Sequence, residues 1–316
     1  MSAPPPLARR FHLITGKGGV GKSALSAALA LSFARQGHRT LLCELDPRSP
    51  QSGHFGLSPA PGLLRPLSEQ APLWGVNIEL KAALIEYGQL KLRFQRLSEL
   101  FLDNPLTNAL VDLLPGVSSL VMLGKAFHHE REERRGSPRW DRIVVDAPAT
   151  GHGLALLKLP ELIRSTIRRG NLHREAAEMW SLLCDTRRSA IHVVTLPERL
   201  PLVEARELWI QLAEELQVSA GLIFLNRLPP SPAELPLPPL DASARASLSE
   251  RERATLEAAE QTVRAAHQAH YRAQRALAAI PLPCAPISLP ALPCFSLGPL
   301  LEQLRPALER AAEQGP

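Results

Sequence analysis

The stretch that decides the fold is Gly16-Lys17-Gly18-Gly19-Val20-Gly21-Lys22-Ser23, which lies between the β-branched run Phe11 to Thr15 and the helix-forming run Ala24 to Gln36. It matches the pattern G-x-x-x-x-G-K-[ST] in the strand, loop and helix setting that a P-loop requires. In such a loop the glycines let backbone N–H groups surround phosphate oxygens, and the helix N-terminus adds positive potential. The sequence therefore predicts a nucleotide site at this loop.

Residues of the loop have distinct predicted tasks. Lys22 neutralises the β- and γ-phosphates of ATP in this pattern, and the Ser23 hydroxyl binds Mg²⁺. The residues that we assign to the nucleotide here are Gly16, Lys17, Gly18, Gly19, Val20, Gly21, Lys22, Ser23 and Ala24.

Further β-branched runs alternate with helical patterns along the chain. They are Thr40 to Leu45, Ile143 to Asp146, Ile191 to Thr195 and Gly221 to Asn226. This alternation predicts an α/β fold of the P-loop NTPase type, with a mostly parallel β-sheet and helices on both faces. Because ligands lie at the carboxyl ends of parallel strands, the polar residues that end these runs are candidate site residues.

Two carboxylates are candidates for the chemistry. Asp46 follows the second run, where it can orient an attacking water, although a turn aspartate before Pro47 is the structural alternative. Asp146 ends an apolar strand, as a Walker B element requires, and the loop 147–153 suits a γ-phosphate sensor. We assign Asp46 as catalytic, and Ser23 and Asp146 to Mg²⁺, with Asp146 acting through water.

Composition and charge limit the other functions. The 316 residues include 36 Lys and Arg against 31 Asp and Glu, a net charge of +5, which gives no strong nucleic-acid signal. No run of about 18 apolar residues predicts a membrane span, and the first residues lack an apolar signal core. We expect a cytoplasmic protein without a membrane span.

The cysteines and one histidine pair bear on metal binding. Cys43, Cys184, Cys284 and Cys294 form no C-x-x-C pair, so we expect no zinc ribbon, no redox dithiol motif and no disulfide framework, and we interpret Cys43 as a core strand residue. His267 and His270 have a spacing that metal sites use, but two histidines on one helix are more often packed or solvated.

The 30 prolines outline one element. Their clusters at 229–239 and 281–306 bracket apolar residues that recur at spacings of three and four, which predicts a long helix at about 246–280. Either Ser247 with Glu250 or Ser249 with Glu252 offers a capping box at its start, and Pro281 ends it.

Domain organisation follows from these patterns. We expect a flexible N-terminus at 1–10 and a single ATPase domain at 11–316, with helical subdomain segments at about 85–135 and 160–188. One stripe in the first segment, at a helical period, is either core packing or a peptide-binding groove; its residues are Leu90, Phe94, Leu97 and Phe101.

Several motifs together resemble the ArsA family of ATPases, which includes the arsenite-pump ATPase and the ATPases that target tail-anchored membrane proteins. A second lysine near the start of the loop, Lys17, makes this the deviant form of the P-loop. The switch II segment D-T-A-P-T-G-H is similar to Asp146-Ala147-Pro148-Ala149-Thr150-Gly151-His152. Val194 to Leu200, followed by Glu204, resembles the element V-x-x-P-E-x-L, and 73–79 and 114–117 resemble two further family segments.

The resemblance implies hydrolysis of MgATP by a dimer that closes on ATP and opens afterwards. It implies that Lys17 is a second catalytic residue, which reaches the nucleotide of the partner subunit, that Asp46 activates the water, and that Asn226 recognises adenine. His152 belongs to switch II with a conformational task. The partner is then a second copy or a paralogous ATPase, and a protein client is possible.

Two departures keep alternatives open. Switch I reads Asp46-Pro47-Arg48-Ser49 where the family commonly has D-P-A-H, and the stretch from His152 to Ile191 is short for a full substrate-binding subdomain. One alternative is an ATP-dependent dimerisation switch on membrane or DNA, for which the weakly amphipathic segment 297–311 is a candidate, although its prolines disfavour a surface helix. The other is a nucleotide-binding scaffold without turnover.

Overall fold

The structure is a computed structural model that describes residues 3–45, 51–58, 60, 62–78, 117–148, 150–237, 240–291 and 297–313. Asp46 and the predicted groove stripe at 90–101 lie outside these residues. So does the part 85–116 of the predicted helical segment 85–135.

One sheet of eight strands organises the chain, in the order β10-β9-β8-β1-β7-β2-β4-β3. Every neighbouring pair in it is parallel except β3 with β4, and β5 and β6 form a separate antiparallel ribbon. The strands are β1 (Phe11–Gly16), β2 (Thr40–Glu44), β3 (Arg65–Pro66), β4 (Leu73–Asn77), β5 (Glu133–Arg134), β6 (Ser137–Pro138), β7 (Arg142–Asp146), β8 (Ser189–Thr195), β9 (Ala220–Leu228) and β10 (Ile287–Pro290). The predicted mostly parallel α/β fold is confirmed.

Helices connect these strands. They are α1 (Lys22–Arg35), α2 (Val117–Arg131), α3 (Thr150–Thr166), α4 (Asn171–Cys184), α5 (Arg199–Ile210), α6 (Ala242–Ala246), α7 (Glu250–Ala279) and α8 (Leu297–Glu313). A π-helical turn, Gln211–Glu215, continues α5, and short 3₁₀ turns lie at Pro6–Ala8 and Gln51–Phe55.

The sheet is covered by helices on both faces because side chains alternate along its buried strands. On one face Leu13, Ile143 and Ile191 pack in a cluster with residues of α2, α3, α4 and α5. On the other face Ile14 and Val144 pack with residues of α1 and α8. All six residues of β1 are buried, so the strand that leads into the P-loop lies in the centre of the core.

The long helix α7 begins where a capping box forms. The Ser249 side chain accepts a hydrogen bond from the Glu252 backbone N–H, and the Glu252 carboxylate accepts one from the Ser249 N–H. Of the two capping boxes that the sequence offers, Ser249 with Glu252 is the one that forms. The Ser247 hydroxyl instead donates to Ala244 O.

The two histidines of α7 hold the first proline-rich segment against the helix. His267 Nε2 donates to Leu235 O at 2.8 Å, and His270 Nδ1 donates to Pro229 O at 3.0 Å. The two histidines are therefore packed, since a backbone carbonyl of the proline-rich segment bonds to one ring nitrogen of each.

The C-terminal segment corrects one expectation. The sequence disfavoured a clean helix at 297–311 because of Pro299 and Pro306, yet α8 continues through Pro306 to Glu313. Its apolar face is buried against α1, where Leu304 has no exposed surface and Leu300 and Leu308 are 4% exposed. This face is therefore part of the core, and it is not free to lie on a membrane. Among the described residues, no helix combines the length and apolarity needed to cross a bilayer.

Candidate active site

The P-loop connects the carboxyl end of β1 to the first turn of α1. Gly21 is the N-cap of α1 in a left-handed conformation, with φ of 95°. The Lys22 ammonium donates to Lys17 O at 2.9 Å, so it lies across the loop, and only 9% of Lys22 is exposed. The loop therefore presents its backbone and one cation at the N-terminus of a helix, which is the arrangement that binds phosphate.

Ser23 and Asp146 meet at the predicted position. Ser23 Oγ donates to Asp146 Oδ2 at 2.7 Å, and Ser26 Oγ is 3.2 Å from Asp146 Oδ1. Asp146 is 4% exposed, and Ser23 is the closer hydroxyl donor to this buried acid at the end of β7, because the single hydrogen of Ser26 Oγ is shared with Lys22 O at 2.9 Å. A hydroxyl and a carboxylate in contact are hard oxygen donors, which fits Mg²⁺ held by Ser23 with Asp146 behind it.

Asn226 contacts the loop from the end of β9. Its Nδ2 donates to Val20 O at 2.7 Å, and its Oδ1 accepts from the Arg227 N–H at 2.9 Å. A Cβ on Gly21 would lie 2.2 Å from Asn226 Nδ2, so this contact requires glycine at position 21. The structure thus places Asn226 beside the P-loop and bonds it to the loop backbone, while its role toward adenine stays a prediction.

The end of β2 adds a second carboxylate to this edge. Glu44 pairs in register with Asp146 on one side and Asn77 on the other, and Asn77 Nδ2 donates to Glu44 Oε2 at 2.9 Å. Glu44 is 6% exposed. The predicted catalytic Asp46 comes two residues later, outside the described residues, so its assignment stays a prediction.

Lys17 forms an ion pair within its own chain. Its Nζ lies 2.7 Å from Glu204 Oε1 on α5, with both side chains partly exposed. The pair borders a pocket of about 450 Å³ that extends along β8 and α5, with Leu154, Pro201, Leu208 and Gln211 among its lining. Glu204 appeared in the sequence only as part of a family element, without a task of its own.

Switch II begins at the site and continues as a helix. Asp146 ends β7, Ala147 is 3% exposed, and α3 starts at Thr150. The backbone of His152 therefore lies in the first turn of α3, and its side chain is outside the described part of the structure.

The thiols do not form a metal site in the described residues. Burial raises the pKa of the Cys43 thiol well above its ordinary value, and the nearby Glu132 and Glu44 carboxylates add to this. Cys43 has no exposed surface, which confirms it as a core residue. Among the residues that the structure describes, no group of three or more His, Cys, Asp or Glu side chains is arranged to hold a metal ion.

Sequence reasoning missed Ser26 and the bond between Asn226 and Val20. The sequence could have indicated Ser26, because a residue three positions after Ser23 lies on the same face of the helix. The Asn226 bond joins residues 206 positions apart in the chain, and no local pattern indicates it.

Comparisons with known proteins agree with this geometry. The family described as anion-transporting ATPase, ArsA_ATPase, matches residues 9–175. ATPase BagA of Mycobacterium tuberculosis is 31% identical, over 71% of this chain and 67% of its own. ATPase ARSA1 of Chlamydomonas reinhardtii is 33% identical over 50% of this chain and 22% of its own, and ATPase GET3B of Arabidopsis thaliana is 25% identical over 72% and 66%. Because the family match covers more than half of the sequence and includes the P-loop, Asp146 and switch II, the chain belongs to the ArsA family of anion-transporting ATPases.

Proposed function

We propose that this protein hydrolyses MgATP as a dimer and couples the closing and opening of that dimer to a protein client or membrane partner. The observation that carries the proposal is the contact of Ser23 with Asp146 beneath the Lys22 loop. It joins the P-loop to the Walker B carboxylate, the two parts that nucleotide hydrolysis needs at one place.

Each described residue has a proposed task at this site. The loop N–H groups and Lys22 bind the phosphates, and Ser23 and Asp146 would hold Mg²⁺, with Asp146 reaching it through water. The ion, when bound, neutralises phosphate charge. Asn226 is proposed to recognise adenine, and Asp46 to orient the attacking water.

Turnover tests the enzyme claim. We expect Asp146→Asn to lower MgATP hydrolysis by about 100-fold or more, since groups that stabilise transferring charge have effects of this size. Asp141→Asn is the matched control, because Asp141 precedes the same strand at its other end and pairs with Arg39. Wild-type protein that binds ATP without hydrolysing it would instead support the scaffold alternative.

The task of Asp46 is tested separately. Asp46→Asn is expected to abolish turnover while leaving ATP binding intact, because the amide keeps the size of the carboxylate but cannot accept a proton from water. Equal turnover in Asp46→Asn and wild type would remove Asp46 from the mechanism.

Action of Lys17 across the dimer is tested by mixing two inactive variants. In a mixed dimer of Lys17→Ala with Asp46→Asn, one of the two sites keeps both Asp46 and a lysine from its partner. Random pairing of equal amounts then restores about one quarter of wild-type turnover. If Lys17 acted in its own subunit, no site in the mixture would be complete and turnover would stay at the level of the separate variants.

The client can be identified by capture on an ATP-bound variant. The Asp46→Asn protein, held with ATP, should retain a partner that wild type releases after hydrolysis. Identification of the co-purifying chain by mass spectrometry would distinguish a tail-anchored membrane protein, a membrane pump and a second P-loop chain.

A further inference from the structure

Lys17 forms an ion pair with Glu204 of its own chain, whereas the proposed function needs Lys17 at the nucleotide of the partner subunit. Lys17 Nζ is 2.7 Å from Glu204 Oε1, and no other side-chain bond of Lys17 is formed within the described residues. The other carboxylate oxygen, Oε2, is enclosed and accepts no hydrogen bond from the described part of the chain. Among the described residues, Lys17 is thus the partner of this carboxylate, which it binds through Oε1 alone.

The two members of the pair differ in how firmly they are held. Glu204 is on α5, whose Leu202, Ala205 and Leu208 are buried. The start of that helix is tied to the sheet because Thr195 Oγ1 donates to Pro201 O at 2.8 Å. Lys17 is in the glycine-rich loop, with 43% of its side chain exposed. When the pair opens, Lys17 is therefore the group that moves.

We propose that Glu204 is a positioning residue that holds Lys17 on its own subunit in the absence of ATP. The ion pair must open before Lys17 reaches the nucleotide of a second copy, so Glu204 opposes premature closing of the dimer. This inference rests on the proposed function in which Lys17 acts across the dimer.

The size of the effect follows from the exposure of the pair. Partly exposed ion pairs change an equilibrium by about two- to fivefold, and salt weakens them. Two such pairs open for each symmetric dimer that forms, so their effects multiply. Removing both is expected to raise the ATP-dependent dimerisation constant by about 4- to 25-fold.

The first experiment measures the ion pair itself. Lys17 acetylation by an N-hydroxysuccinimide ester is followed by mass spectrometry in ATP-free wild type, Glu204→Gln and Glu207→Gln. Glu207 is the matched control because it lines the same pocket and is exposed. We expect acetylation of Lys17 to be about two- to fivefold faster in Glu204→Gln and unchanged in Glu207→Gln. Equal rates in wild type and Glu204→Gln would overturn the proposal.

The second experiment measures what the pair controls. Sedimentation velocity with a non-hydrolysable ATP analogue should give tighter dimers for Glu204→Gln than for wild type, and the difference should shrink as NaCl approaches about 1 M. Steady-state hydrolysis should show a lower KM for ATP with kcat changed less than KM. Faster acetylation without tighter dimerisation would also overturn the proposal, because the ion pair would then form without opposing the closing of the dimer.

Failure of the proposed function is distinguishable from failure of this inference. If the mixed Lys17→Ala and Asp46→Asn sample stays inactive, action across the dimer is wrong and so is the assigned task of Glu204, whatever the acetylation rates. If the mixture is active and Glu204→Gln dimerises like wild type, only the inference about Glu204 is wrong.

Discussion

Asn226 bonds to the loop, and we propose that it also recognises the adenine base. One N–H of its amide bonds to Val20 O and its oxygen accepts from Arg227 N, so within the described residues the second N–H remains for the proposed contact with adenine. A substitution at Asn226 is therefore expected to disturb the phosphate end of the site along with base recognition.

Gly21 and Gly19 allow the contact with Asn226 to be measured. Both have positive φ, at 95° and 78°, but only at Gly21 does an added Cβ meet a neighbour. Left-handed backbone costs alanine about 1 kcal/mol at either site, and the overlap at Gly21 adds about 1–3 kcal/mol. We expect Gly21→Ala to lower the melting temperature and ATP affinity more than Gly19→Ala, as measured by thermal unfolding and nucleotide titration.

A second substitution checks the cause. Because the overlapping atom is Asn226 Nδ2, Gly21→Ala should lose less stability in an Asn226→Ala background than in wild type. Equal losses in the two backgrounds would show that the backbone conformation alone accounts for the effect.

At the scale of elements, the start of α7 is set by one serine. Ser249→Ala removes the capping hydroxyl and is expected to cost about 1 kcal/mol, which raises hydrogen exchange in the first turn of α7 by about fivefold. Ser247→Ala is the control, since Ser247 lies two residues before the cap and bonds to Ala244 O. Similar exchange in the two variants would contradict the assigned helix start.

The burial of α8 makes a prediction that also bears on the membrane alternative. Leu304→Ala is expected to cost about 2–5 kcal/mol in the free energy of unfolding, because Leu304 has no exposed surface and packs in the cluster of α1. Gln303→Ala, on the exposed side of the same helix, should change it by less than about 0.5 kcal/mol. The membrane alternative predicts a different result. If the apolar face of α8 that includes Leu304 bound to membranes, wild-type protein would pellet with lipid vesicles.

Elements with local signals were predictable, and contacts between distant ones were not. The P-loop, the five strands β1, β2, β7, β8 and β9, and the capped start of α7 each carry a pattern within a few residues. The expectation for α8 was wrong because Pro299 lies in the first turn, where proline is tolerated, and burial against α1 outweighs the one proline inside the helix, Pro306. That burial depends on contacts with a distant part of the chain. The Lys17–Glu204 pair joins residues 187 positions apart, which no spacing rule reaches.

At the scale of the whole molecule, a buried histidine pair links the two central strands β1 and β8. Leu222 N–H donates to His192 Nδ1, so the proton of His192 lies on Nε2, which is 3.2 Å from His12 Nδ1. Both rings have no exposed surface. Burial lowers the pKa of His192 to about 3 and lowers the pKa of His12 well below its ordinary value, so both rings are neutral in the folded protein near pH 7.

This pair predicts a loss of stability in weak acid. The unfolded chain binds more protons than the folded one between about pH 3 and 6.5, so stability falls as pH falls below 6.5. His192 alone should remove about 2 kcal/mol between pH 7.5 and 5. Urea unfolding should show this decrease reduced by that amount in His192→Gln. An unaltered pH dependence in His192→Gln would contradict the prediction.

The helix α7 is a long rod whose C-terminal end is anchored on α5, while farther along it bonds to the segment 229–235 and, through Glu260, to Arg245 of α6. Its 30 residues span about 45 Å, and near its C-terminus Ala276, Leu277 and the following Ile280 pack with Leu202 of α5, the helix that carries Glu204. From Ala276 to Glu250 the rod extends about 39 Å, so a 5° tilt at the anchor displaces the far end by about 3 Å. The length of α7 therefore amplifies small rotations. A rotation too small to separate α5 from its neighbours would displace Glu250, at the far end of the helix, by about the length of one residue of extended chain.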